Sequence, residues 1–138
     1  MDILNSICSA VMTHYNSLDS SKKFNSGLYF CSAPQETTGD YVVFDYDGGS
    51  TDEYMGGADD AIQLADLRFS LFTTVDDGGF TLSEMIDKLT DSFDWRDIKI
   101  DGFEDIKFQR TGNGPVLCFD GIWQTTILYE VMFIKGDG

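Results

Sequence analysis

Between Ile62 and Thr74 apolar and polar residues take turns: Ala65, Leu67, Phe69 and Leu71 alternate with Asp66, Arg68 and Ser70. Successive side chains of a strand point to opposite faces, so this alternation predicts a strand with one side in a core and the other in water. The stretch that follows has a different period. Leu82, Met85, Ile86, Leu89 and Phe93 recur every three or four residues, the spacing of one helical face. Thr81-Leu82-Ser83-Glu84 in front of that stripe reads as a capping box, with Phe80 and Met85 placed for a hydrophobic staple. Residues 2–18 predict another amphipathic helix, capped by Asp2, with Ile3, Leu4, Ile7, Val11, Tyr15 and Leu18 on one stripe.

The remaining pattern is β. Leu28–Ala33, closed by Pro34, and Tyr41–Tyr46 are short runs of aromatic and β-branched residues. A short strand at Asp97–Ile100 follows the second helix. Ile106–Arg110 and Pro115–Phe119 flank Thr111-Gly112-Asn113-Gly114, which predicts a hairpin loop, and Asp120-Gly121 predicts a turn or bulge. Ile122–Ile134 closes the chain as a long strand, with Trp123, Thr125, Ile127, Tyr129, Val131 and Phe133 on one side. No repeat or linker interrupts the order. The prediction is one compact α+β domain over residues 1–138, a mainly antiparallel sheet flanked by two helices. Its core should contain Leu67, Phe69, Leu71, Met85, Ile86, Leu89, Ile127 and Val131.

Residues 47–60 break the pattern. Asp47, Asp52, Glu53, Tyr54, Met55, Asp59 and Asp60 stand with four glycines in a fourteen-residue stretch that predicts a long acidic loop. Structureless loops of that length are uncommon in compact domains unless they have a task, so these residues are the candidate assembly loop.

Composition narrows the function. With 138 residues, 42% of them hydrophobic, the chain can bury a core without a metal or disulfide staple. A net charge of −15 repels phosphate backbones and argues against specific nucleic-acid binding. Cys8, Cys31 and Cys118 form no Cys-x-x-Cys pair and predict buried free thiols. The N-terminus lacks the basic and apolar regions of a signal peptide, and no stretch has the length of a membrane span, so a reducing cytoplasm and no membrane partner are expected.

Catalytic chemistry finds few footholds. His14 stands alone, without the partners that a zinc site or a nucleophile–base pair needs, and predicts a half-buried helix residue. Asp45-Tyr46-Asp47-Gly48-Gly49 begins like a calcium loop, but Gly49, Ser50 and Gly56 occupy the positions of a ligand, the invariant glycine and the bidentate glutamate. No glycine pattern forms a phosphate cradle. Trp95 and Trp123 read as core anchors. No enzyme, cofactor or metal is expected.

The ordered features also resemble the tail-terminator (tail-completion) proteins of long-tailed bacteriophages. They are the N-terminal helix, Leu28–Pro34 leading into Asp40-Tyr41-Val42-Val43-Phe44, the strand Ala65–Phe72, the helix Thr81–Phe93 and the closing strand Gly121–Phe133 with Trp123. Asp40 takes a position where that family often has proline. The resemblance implies a virion protein assembled in the host cytoplasm, monomeric or weakly associating when free and six-fold in the ring. Such a ring caps the tail tube, contacts tail tube and head-tail connector proteins, and passes DNA through its lumen without specific binding. A head-tail connector or minor capsid component, an acidic inhibitor mimicking DNA, and a small enzyme remain as alternatives.

Overall fold

The structure, a computed structural model, describes residues 3–31, 33, 37–52, 62–75, 77–94 and 103–135. Helix α1 (Ile3–Asn16) and a 3-10 turn (Ser20–Lys22) precede β1 (Leu28–Phe30), β2 (Tyr41–Asp52) and β3 (Ile62–Thr73). Helix α2 (Phe80–Phe93), β4 (Phe103–Asn113), β5 (Leu117–Phe119) and β6 (Ile122–Lys135) complete the order. The strands form a single sheet, β1-β2-β3-β6-β4, with β5 beside β6. Among the described residues only the β1–β2 pair is parallel. The α+β architecture expected from the pattern is present.

The alternation in β3 decides which face is covered. Ala65, Leu67, Phe69 and Leu71 are buried, as are their neighbours Val42 and Phe44 on β2 and Ile127, Tyr129 and Val131 on β6. Ala10, Val11 and Tyr15 of α1 and Leu82, Met85, Leu89 and Phe93 of α2 close over this face. At its centre Phe69 meets Phe93 at 5.2 Å and Tyr129, edge-on, at 5.5 Å, while Phe93 meets Phe108 at 5.5 Å. Such pairs contribute about 0.5–1.5 kcal/mol each beyond the area they bury. Ile86 is the exception among the expected core residues: it packs against the core from a half-buried position.

Several expectations are corrected. Residues 47–52 are not loop but the second half of β2, paired with β3 from Gly49↔Ala65 to Asp52↔Ile62. A bulge between Tyr46 and Gly49 takes up one extra residue. The row of N–H and C=O groups along β3 needs partners, and that demand outweighs the weak strand propensity of Gly and Asp. For the same reason Thr111-Gly112-Asn113 continues β4 instead of turning. Strand β4 pairs with β6 and not with β5, and Gly114 carries the ladder on by donating its N–H to the Thr126 carbonyl at 2.6 Å. The turn lies further on, at Asp120-Gly121, where both residues have positive φ (53° and 77°) and Phe119 pairs with Ile122. Thus β4 and β5 are one interrupted arm of a long hairpin whose other arm is β6.

The start of α2 is also built differently. Gly79, at φ 89°, precedes a helix that begins one residue before Thr81. Gly79 is the N-cap and has no side chain to offer, so Asp77 and not Thr81 supplies the capping bonds: its carboxylate accepts the Thr81 N–H at 3.1 Å and the Thr81 hydroxyl at 2.6 Å. Those bonds hold the Asp77 carboxyl below its ordinary pKa. Phe80 is 66% exposed and forms no staple with Met85. Strand β1 stops at Phe30 because Cys31 turns left-handed, at φ 67°. Cys31 and Cys118 are exposed and Cys8 half-buried, contrary to the expected burial. Asp2, Pro34, Trp95 and the strand expected at Asp97–Ile100 lie outside the described residues, as do the side chains of Ile3, Leu4, Ile7 and Phe133.

Candidate assembly surface

Asp47 and Asp52 stand on β2 by their backbone, while Glu53, Tyr54, Met55, Asp59 and Asp60 lie outside the described residues. The pairing Asp52↔Ile62 places the ends of the intervening connection at the distal tip of the β2–β3 hairpin. Asp45, the first residue of the apparent calcium loop, is a strand residue facing Arg68 across the pair at 3.5 Å.

The remaining polar groups act as struts. His14 donates its Nε2–H to the Ser92 carbonyl at 2.6 Å and sets its ring edge-on to Phe93 at 5.1 Å, tying α1 to the end of α2. A carbonyl only accepts, so the proton must sit on Nε2. The hydroxyl of Tyr129 donates to Asp94 Oδ1 at 2.5 Å, and Arg110 approaches the other carboxylate oxygen at 3.4 Å. Burial first, then the bond to Asp94 and its negative charge, drives the Tyr129 phenol far above its ordinary pKa. It is therefore a permanent donor and no base. Asp40 is buried and accepts from the Thr73 hydroxyl at 2.6 Å and the Asn25 amide at 3.2 Å, joining the end of β3 to the loop before β1. A half-open cleft of about 240 Å³ is lined by Asp66, Leu67, Thr111, Leu128 and Tyr129. It is smaller than most ligand pockets, about 300–1,000 Å³, and pairs no nucleophile with a base. Among the described residues no group of three or more His, Cys, Asp or Glu gathers as a metal site, and no helix is long and apolar enough to cross a membrane.

The face of the sheet opposite the two helices is divided in two. Toward the β2–β3 hairpin tip it carries Asp45 with Arg68, and Asp66 beside Glu130. Toward the β5–β6 turn its strands carry no charge, and Asp120 in the turn is the one charged residue beside them. Tyr41, Phe72, Gln124 and Leu117 form one cross-strand row there, Val43, Ser70 and Thr126 the next, and Phe119 and Ile122 extend it onto the hairpin tip. The Tyr41 and Phe72 rings stack at 5.0 Å. At the tip Phe119 is 78%, Leu117 54% and Ile122 41% exposed. Sequence reasoning passed over this patch, although a signal was there: between Arg110 and Glu130 the single charged residue is Asp120, in a chain that is 24% charged.

No family model matches the chain, and no curated protein matches it. Among solved structures, a chain of the virion of a native gene transfer agent particle is similar along nearly its whole length. The TM-score is 0.65 at 14% identity, covering 97% of this chain and 98% of that one. A second solved chain has a TM-score of 0.68 at 12% identity, covering 98% and 97%. The chain shares their fold from end to end.

Proposed function

We propose that the chain is a structural subunit of a phage-like particle, and specifically a tail terminator that caps the tail tube as a six-fold ring. The observation that carries this reading is the end-to-end fold shared with a gene transfer agent virion chain, joined to the ordered resemblance to tail-terminator proteins. The rest of the molecule accords with it. Long paired strands and projecting hairpins suit a ring subunit better than a deep cleft would, and chemistry is absent from the role. The −15 charge keeps a lumen non-adhesive to DNA. Tail tube and head-tail connector proteins are the partners.

Deleting the gene in the producing strain tests the role. The expected particles have tails of uncontrolled length and unattached heads, rescued by the wild-type gene. Replacing residues 53–60 by a tight turn should leave the fold intact and reproduce that defect. Tails of normal length in the deletion strain refute the terminator role. Crosslinking to the portal complex instead of the tube assigns the chain to the connector.

A further inference from the structure

We propose that the uncharged end of the open sheet face, centred on Phe119, Leu117 and Ile122 of the β5–β6 tip and continued by Phe72 and Tyr41, is the contact through which one copy of this chain meets the next. The inference rests on the reading of the chain as a ring subunit and names the surface that makes the ring.

Three observations converge. First, the tip has no role in the subunit's own core: all three residues of β5 are exposed, and Phe119, the most exposed large apolar side chain described, stands beside a two-residue turn. Folding does not account for an aromatic side chain in that place. Second, the register joins the tip to Phe72 and Tyr41, so the apolar residues form a band instead of scattered points.

Third, charge selects the occupant. A basic partner drawn to a chain of net charge −15 would gain by docking on its carboxylates. A second copy brings the same −15 and is repelled least where the surface holds the least charge. The stretch between Arg110 and Glu130, with Asp120 alone, is such a surface, and charge depletion with aromatic enrichment marks the core of protein interfaces. The charged end of the same face, with Asp45, Asp66 and Glu130, lies toward the other end of the ladder and would remain clear of the contact.

Sedimentation velocity on the purified full chain, across protein concentration at 0.05 and 0.5 M NaCl, tests the proposal. Wild type should self-associate, and more at high salt, where the residual repulsion is screened. Phe119→Ser and Leu117→Asp should weaken association by at least about tenfold, as truncating a central anchor does, with circular dichroism and melting unchanged. Gln109→Asp, toward the charged end, should associate as wild type. Wild type that stays monomeric at high salt overturns the proposal. So does a Phe119→Ser chain that associates normally. Incorporation into particles is scored separately. A monomeric wild-type chain still found in tails leaves the virion role standing and removes this contact. Absence from particles, with association through the tip intact, removes the virion role instead.

Discussion

Replacing Tyr129 by phenylalanine deletes one oxygen and leaves the ring where it packs, edge-on to Phe69 at 5.5 Å and near Phe108 at 6.2 Å. What is lost is a 2.5 Å hydrogen bond to the Asp94 carboxylate. A bond to a charged acceptor is worth about 1.5–3 kcal/mol. Asp94 keeps Arg110 at 3.4 Å and some access to water, so the low end applies and the loss at neutral pH should be about 1.5 kcal/mol. For a chain of this size that corresponds to a fall in Tm of about 6 °C. The pH dependence is the sharper test. Because the phenol is raised in the folded state, its stabilisation is fully present below the unfolded pKa of 10.0 and is lost as pH climbs above it. Above that point the unfolded chain ionises Tyr129 and the folded chain cannot, which removes about 1.4 kcal/mol per pH unit. Urea denaturation followed by circular dichroism should therefore give a wild-type advantage that is constant from pH 7 to 9 and nearly gone at pH 11. Tyr15, also raised by burial, is common to both chains and cancels. An advantage that persists unchanged to pH 11, or a variant as stable as wild type at pH 8, would refute the reasoning.

Asp77→Ala should lower the thermal midpoint by uncapping α2. The cap works as a carboxylate held below its ordinary pKa, so the deficit should be full above pH 5 and close as pH falls below about 4, which a melting series across pH would show. His14→Ala should cost about 1 kcal/mol through loss of the bond to Ser92. Particle yield and tail length, measured by electron microscopy, should stay as in wild type, and a well-folded variant without tails would give His14 a direct role.

The parts of the fold legible in the sequence were those whose pattern is local. Alternation in β3 and β6 and the stripe of α2 each identify a buried face without reference to any neighbour. The misreadings share one cause. Gly49 in β2, and Gly112 and Asn113 in β4, carry turn chemistry, yet long partner strands recruited them into the ladder. That partnership is non-local and leaves no mark in the segment itself. The capping bonds of α2 come from elsewhere for a smaller reason: Thr81 has the right chemistry, but Asp77 reaches forward four residues and uses the threonine hydroxyl as a donor. The candidate surface was the least legible. Phe72 is distant in sequence from Leu117 and Phe119, and only the strand order β3-β6 with β5 alongside makes them one band.

The central ladder joins strands far apart along the chain. Ile62 pairs with Ile134 and Thr73 with Trp123, an unbroken register between the third strand and the last. Until β6 has been synthesised, the side of β3 that it will cover has no partner, and Leu67, Phe69 and Leu71 lack half of their enclosure. Long-range pairing of this kind closes late and slowly. The nascent chain therefore reaches its native sheet only after translation has delivered β6, and the β5–β6 tip takes shape in that same final event. A subunit with an unfinished core thus lacks the tip as well, and recruitment through the tip waits on completion of the sheet.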